Sequence, residues 1–155
     1  MGQQQLLLVI LVTIIVGIAT VVAINTFGAA ADSANVDAVR QDVAQIAAAS
    51  QGYYMKPTML GGGGRSFSEI TFDHFAFPAS AIDETDGLTA QNENGVYVIT
   101  QGDEDFTVVA HPASCEGYDG GSTDPDTGVV TMGSGDCAAA DQLEALIEPD
   151  NMIWQ

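Results

Sequence analysis

Between Leu6 and Phe27 the chain reads LLLVILVTIIVGIATVVAINTF, 22 consecutive residues without a charge. At ~1.5 Å per residue this makes a helix of about 33 Å, enough to cross the hydrocarbon core of a bilayer. A chain containing such a segment has to cover it with lipid or with other protein, and this limits the folds open to it. A secretory signal peptide is the competing reading. Its apolar core is usually shorter, follows basic residues and ends at a small-residue cleavage site, which Gly28, Ala29, Ala30 and Ala31 can mimic. No Lys or Arg precedes the segment, so the charge that normally sets membrane orientation is absent from it, and prior removal of a basic leader is expected.

The helical pattern continues past the apolar run. Val36, Val39, Val43, Ile46 and Tyr53 follow at spacings of three, four, three and seven, with Asp37, Arg40, Asp42 and Gln45 between them. This predicts one helix from Gln4 to Tyr54, apolar in its first half and amphipathic in its second. It ends before Pro57, because the residue preceding a proline is pushed away from helical dihedrals. An ordinary membrane anchor is more often joined to its soluble domain by a flexible linker.

The 155 residues have room for one compact domain plus this extension. The expected partition is an apolar helix over 1–31 and an acidic head over 32–155 that includes the amphipathic half of the helix. Formal net charge is −18, from 3 Lys+Arg against 21 Asp+Glu, and every charged residue lies at or beyond Asp32. Nucleic-acid binding rests on Lys and Arg displacing phosphate counterions, and only Arg40, Lys56 and Arg65 are present, so direct binding to nucleic acid is not expected. The acidity suits a salt-rich external environment or the neutralisation of divalent cations.

From Met55 to Gln91 the sequence predicts a long connection, with Pro57, Pro78 and a flexible turn at Gly61 to Gly64. Phe67, Ile70, Phe72, Phe75 and Phe77 are too many apolar groups to leave in water, so this connection is expected to fold back over the amphipathic helix as core. Gly95 to Thr100 (GVYVIT) and Asp105 to His111 (DFTVVAH) read as an antiparallel hairpin. A third strand is expected over Gly128 to Met132, giving a sheet of three or four strands whose apolar face packs on Val36, Val39, Val43 and Ile46. Ala138 to Ile147 reads as a short helix stopped at Pro149, with Met152, Ile153 and Trp154 as a docking tail. Cys115 and Cys137 are the only cysteines, and two cysteines alone cannot complete a structural zinc site, so a disulfide is the economical reading.

A long helix that is apolar first and amphipathic second, followed by a small β-sheet head, resembles the layout of type IV pilins and type II secretion pseudopilins. The resemblance covers the whole layout and is motif-specific only at the N-terminus. If Met1 is the mature first residue, Gln5 falls where the family usually has a glutamate, and Leu6 opens the apolar stretch as the family pattern requires. If the peptidase cuts after Gly2, Gln3 comes first and that register shifts by two. The family's glutamate is thought to pair with a neighbour's N-terminal amine. Gln5 offers only an uncharged hydrogen bond there, and Gln3 and Gln4 can help solvate the amine. Many relatives carry a proline in mid-helix, around which the helix unwinds on assembly. Here Gly17 and Thr20 stand nearby, and Gly17 is either part of a local melt within Gly17 to Asn25 or a close-packing contact between helices. The Cys115 and Cys137 pair resembles the C-terminal disulfide-bounded region of many pilins.

The resemblance implies an α+β structural protein. Its expected role is as major subunit of a helical extracellular filament, a homopolymer held in the cytoplasmic membrane before assembly and served by a prepilin peptidase and assembly machinery. Two alternatives stand beside it: a pseudopilin or minor pilin of a secretion or DNA-uptake machine, and a single-pass membrane-anchored binding domain. In EGYDGGSTDPDTG, Glu116, Asp119, Asp124 and Asp126 supply oxygens of the kind Ca²⁺ prefers, without matching an EF-hand, and Asp136 can join them. Some pseudopilins hold Ca²⁺ in a comparable loop, and against this stands an ordinary solvated acidic loop. No enzymatic role is expected: His74 and His111 sit in no nucleophile or metal-ligand motif, and GGGGRS lacks the lysine and preceding strand of a phosphate-binding loop.

Overall fold

The computed structural model describes residues 2–123, 130–131 and 137–155. The chain forms two compact units, 1–34 and 35–155. Helix α1 runs from Gly2 to Met55, so the predicted helix is present and extends two residues further at its start and one at its end. It stops as Pro57 approaches, for the steric reason that predicted it. Gly17 to Asn25 is helical throughout.

In the 35–155 unit, α1 buries Val39, Val43, Ile46, Ala47, Ser50 and Tyr53, the helical stripe legible in the sequence. Val36, expected in that stripe, is only half-buried. The strands that follow are β1 (Ala81–Ile82), β2 (Thr89–Gln91), β3 (Gly95–Thr100), β4 (Phe106–Pro112), β5 (Ser122–Thr123), β6 (Val130–Thr131), β7 (Leu143–Ile147) and β8 (Met152–Trp154). Six of them make one antiparallel sheet in the order β1-β2-β3-β4-β7-β8. The predicted hairpin is β3–β4, with Tyr97 opposite Ala110 and Ile99 opposite Val108. Tyr97, Ile99, Phe106, Val108, Ala110, Ala145 and Ile147 form one buried cluster with the helix stripe, together with Phe67, Ile70 and Phe72. Phe75 and Phe77 pack against this cluster half-buried, so the connection folds back over the core as expected.

Three expectations are corrected. Leu143–Ile147 is not helical but pairs along β4, with Val108 opposite Ala145 and Phe106 opposite Ile147. Its Ala, Leu and Glu favour helix by only a few tenths of a kcal/mol per residue, and this is outweighed when β4 offers unpaired backbone groups and a core for Ala145 and Ile147. The main sheet has six strands rather than the expected three or four, and the C-terminal tail docks on it as expected, as edge strand β8 with Ala145 opposite Trp154. Strand β6 does not join the main sheet: it pairs with β5 in a separate two-stranded ribbon, and Gly128, Val129 and Met132 lie outside the described residues.

Gly61 to Gly64 form a tightly built loop rather than a slack one. Gly61 and Gly64 adopt φ of +76° and +57°, and a Cβ on Gly62 or Gly63 would collide with the Lys56 or Ser66 carbonyl oxygen. The loop is tied to the end of α1 by N–H groups of Gly63, Gly64 and Arg65, which donate to the carbonyls of Tyr53, Lys56 and Tyr54 at 2.9, 3.0 and 3.0 Å.

A polar pin joins α1 to the sheet. Asp42 Oδ2 accepts hydrogen bonds from Tyr97 Oη at 2.6 Å and from Asn92 Nδ2 and Asn94 Nδ2, each at 2.8 Å. Asn92 Oδ1 in turn caps the β2–β3 turn by accepting the N–H groups of Asn94 and Gly95 at 2.9 and 3.1 Å. Asn35 donates to the Asn94 carbonyl at 3.0 Å and accepts the Ser114 N–H at 3.1 Å. Replacing Asp42 by alanine strands three donors of a half-buried network, with an expected loss of about 2 kcal/mol, or on the order of 8 °C in Tm. Asp37→Ala, at a side chain 75% exposed, is the control expected to shift stability by less than ~0.5 kcal/mol. Equal melting temperatures for the two variants would remove the pin from the account.

Burial, and then the hydrogen bond to Asp42, hold the Tyr97 phenol far above its ordinary range. Unfolded tyrosine ionises near pH 10 while native Tyr97 keeps its proton, so the unfolded chain binds fewer protons and stability is lost as pH rises beyond that point. The expected slope from this group is about −1.4 kcal/mol per pH unit, fully absent below the unfolded value. Phenolate absorbance recorded alongside circular dichroism tests this. Tyr97 ionising while the fold persists would contradict it.

Candidate functional site

In the 1–34 unit, fifteen large apolar side chains from Leu6 to Phe27 are between 48% and 76% exposed. Covering each is worth ~1.5–3 kcal/mol relative to water. Their sum is tens of kcal/mol, larger than the ~5–15 kcal/mol stability of a typical domain. Water is therefore not the native surroundings of this surface. The polar groups within it suit an apolar medium. Thr13, Thr20 and Thr26 each donate their hydroxyl to a carbonyl one turn back, those of Ile10, Val16 and Val22, all at 2.8 Å. A hydroxyl satisfied inside its own helix carries little cost into lipid or into a helix bundle. By length and hydropathy, α1 qualifies as a membrane span, a test that a signal sequence also passes.

No protein family, characterised protein or solved structure matches this chain. The site has to be read from its own residues.

Gln5 and Leu6 lie in the exposed first turns of α1, and Met1 lies outside the described residues. Among the described residues a Cβ added at Gly17 meets nothing within 4 Å. Cys115 and Cys137 form the disulfide that the sequence suggested. Glu116 and Asp119 are both exposed, and Asp119 Oδ1 accepts the Gly121 N–H at 3.1 Å. Asp124, Asp126 and Asp136 lie outside the described residues. Among the described residues no three His, Cys, Asp or Glu side chains are grouped to hold a metal ion.

His74 is exposed, with Nδ1 2.9 Å from Thr71 Oγ1 and its ring centroid 5.0 Å from that of Tyr53. His111 is buried on β4 opposite Val96. In the sequence Asp42 falls among the polar residues between the stripe positions, and nothing in the helical pattern marks it as the centre of a hydrogen-bond network. An open cleft of about 430 Å³ lies beside it, lined by Asp42, Pro78, Ser80, Asn92 and Glu93. Three donors converge on Oδ2 of this carboxylate. The one local signal was the Asn-Glu-Asn-Gly turn at 92–95, whose Asx chemistry predicts side-chain bonding to backbone.

Proposed function

We propose that this chain is a structural subunit of a helical extracellular filament of the type IV pilin kind. It would be held in the cytoplasmic membrane before assembly and polymerised through its apolar N-terminal helix. The observation that carries this reading is the charge-free, exposed segment Leu6 to Phe27 within a helix that runs unbroken to Met55, where its later turns enter the core of an antiparallel α+β unit. Lipid covers such a segment in a stored subunit, and copies of the same segment cover it in a filament. Exchange of one apolar surrounding for the other lets a prepilin peptidase and an assembly machine move subunits without exposing the helix to water. Gln5 takes the position next to the amine of a neighbouring copy as a neutral hydrogen-bonding group.

Electron microscopy of sheared surface material, with N-terminal sequencing of the dominant band, tests this directly. Thin filaments composed of this chain are expected, beginning at Met1 or Gln3 and retaining the apolar segment. A protein that stays a lone molecule in the membrane favours the anchored-domain alternative, one clipped behind Phe27 a signal sequence, and one present at a few copies per cell a pseudopilin or minor subunit. Any of these outcomes overturns the major-subunit reading.

A net charge of −18 on each copy makes neighbouring subunits repel. The screening length grows from ~8 Å at physiological ionic strength to ~30 Å at 0.01 M. Filaments dialysed into low-salt chelator are therefore expected to shorten or disperse, and to recover on return of salt, as followed by sedimentation. Unchanged sedimentation would remove electrostatic repulsion from the account.

A further inference from the structure

The chain has three basic residues, and Arg40 is paired with Asp37 at 3.3 Å. The other two, Lys56 and Arg65, are exposed and make no ion pair among the described residues. Both sit on the tight glycine loop that follows α1, which also holds Met59 and Leu60 out at 96% and 67% exposure. The loop is fixed by backbone hydrogen bonds and by Gly62, Gly63 and Gly64, where a Cβ would come within 2.7 Å of a neighbouring atom, so the exposure of Met59 is built in rather than a result of slack chain. An apolar knob flanked by both unpaired cations, on a molecule of charge −18, calls for an acidic partner surface with an apolar element.

The same unit carries one. The turns β3–β4 and β7–β8 enclose a hollow of about 290 Å³ lined by Glu104, Asp105, Glu148, Pro149, Asp150 and Tyr54. The β7–β8 hairpin continues into Ile153 and Trp154, 42% and 41% exposed on the sheet's edge. Tyr54 belongs to both surfaces: it lines the hollow, and its carbonyl accepts the Arg65 N–H at 3.0 Å. Knob and hollow are thus neighbours on one unit, yet among the described residues no ion pair joins them within it.

We infer that the knob of Lys56, Met59, Leu60 and Arg65 docks into the acidic hollow of a second copy of this chain. Charge complementarity selects the occupant, since the chain is its own source of a four-carboxylate surface. Like-charged units gain a specific attractive contact in an otherwise repulsive field. Knob and hollow are different patches, so the contact either closes reciprocally within a pair of copies or repeats head-to-tail from copy to copy. The inference rests on the proposed assembly only for bringing copies together.

Two full-length variants test it, Leu60→Cys and Asp150→Cys, carrying different tags, co-expressed, and treated with a short bismaleimide that leaves the native disulfide intact. Mixed-tag dimers are expected. Their yield should fall several-fold in Lys56→Glu/Arg65→Glu chains and recover when the partner carries Glu104→Lys/Glu148→Lys. None of these four charged sites is buried, and melting temperature checks the fold. Filaments without mixed-tag dimers would overturn the docking contact and leave the assembly standing. Dimers without filaments would support the contact and count against the assembly. Neither dimers nor filaments would remove both. Cross-linking indifferent to charge reversal would overturn the contact. So would protection of the Leu60→Cys thiol from maleimide by anionic vesicles rather than by neighbouring copies, by showing that the knob serves a different partner.

Discussion

Val16→Asp is expected to abolish filament assembly while leaving the melting of the 35–155 unit unchanged. Val16 lies near the middle of the uncharged stretch and is 57% exposed on its own helix. A carboxylate at the centre of an apolar helix costs about 2.5–3.5 kcal/mol on insertion scales, roughly a 70- to 400-fold bias per subunit, and the cost recurs with every copy added. The buried cluster of the 35–155 unit draws no residue from before Val39, so its unfolding has no reason to respond. Filament yield by microscopy, membrane fractionation and thermal denaturation in detergent separate failure to insert from failure to polymerise. Val16→Leu is the control and keeps assembly. Filaments of ordinary length from the aspartate variant would end the view that this surface is covered by copies of itself.

Phe67→Ala is expected to be the most damaging single substitution in the folded unit. Phe67 is fully buried, with its ring centroid 4.8 Å from Tyr54 on α1 and 5.0 Å from Phe106 on β4. Its N–H donates to the Asp103 carbonyl at 3.0 Å, tying the connection to the β3–β4 turn. One side chain therefore fills the space between helix, sheet and loop. Removing it costs the transfer energy of the ring plus the cavity left behind, ~3–5 kcal/mol, a third or more of a typical domain's stability. Urea unfolding of the full chain in detergent reads this as a lower midpoint. Phe67→Leu should retain most of the stability, and Met59→Ala, at a residue 96% exposed, should cost less than ~0.5 kcal/mol. If Phe67→Ala unfolds at the midpoint of Met59→Ala, the connection is not part of the core.

The acidic hollow and the basic knob show why function on a surface is harder to read than a fold. Lys56 and Arg65 stand out in a sequence with three cations, but their partner carboxylates come from two turns more than forty residues apart, Glu104 with Asp105 and Glu148 with Asp150. Sheet pairing brings those turns together, and neither turn by itself differs from any solvated acidic loop.

Features that depend on short-range pattern were legible in the residues alone. The charge-free run, the stripe of Val39, Val43 and Ile46, the stop before Pro57, the β3–β4 hairpin and the burial of Phe67 and Phe72 all follow from periodicity, backbone sterics and the cost of wetting apolar groups. The fate of LEALI at 143–147 was settled by long-range contacts instead. That segment has the composition of a helix and became a strand because β4 held open hydrogen bonds and a core place for Ala145 and Ile147. Long-range contacts likewise turned Asp42 inward to three donors on Asn92, Asn94 and Tyr97. In each case the deciding energy comes from a partner outside the local pattern, and such a partner leaves no mark on it.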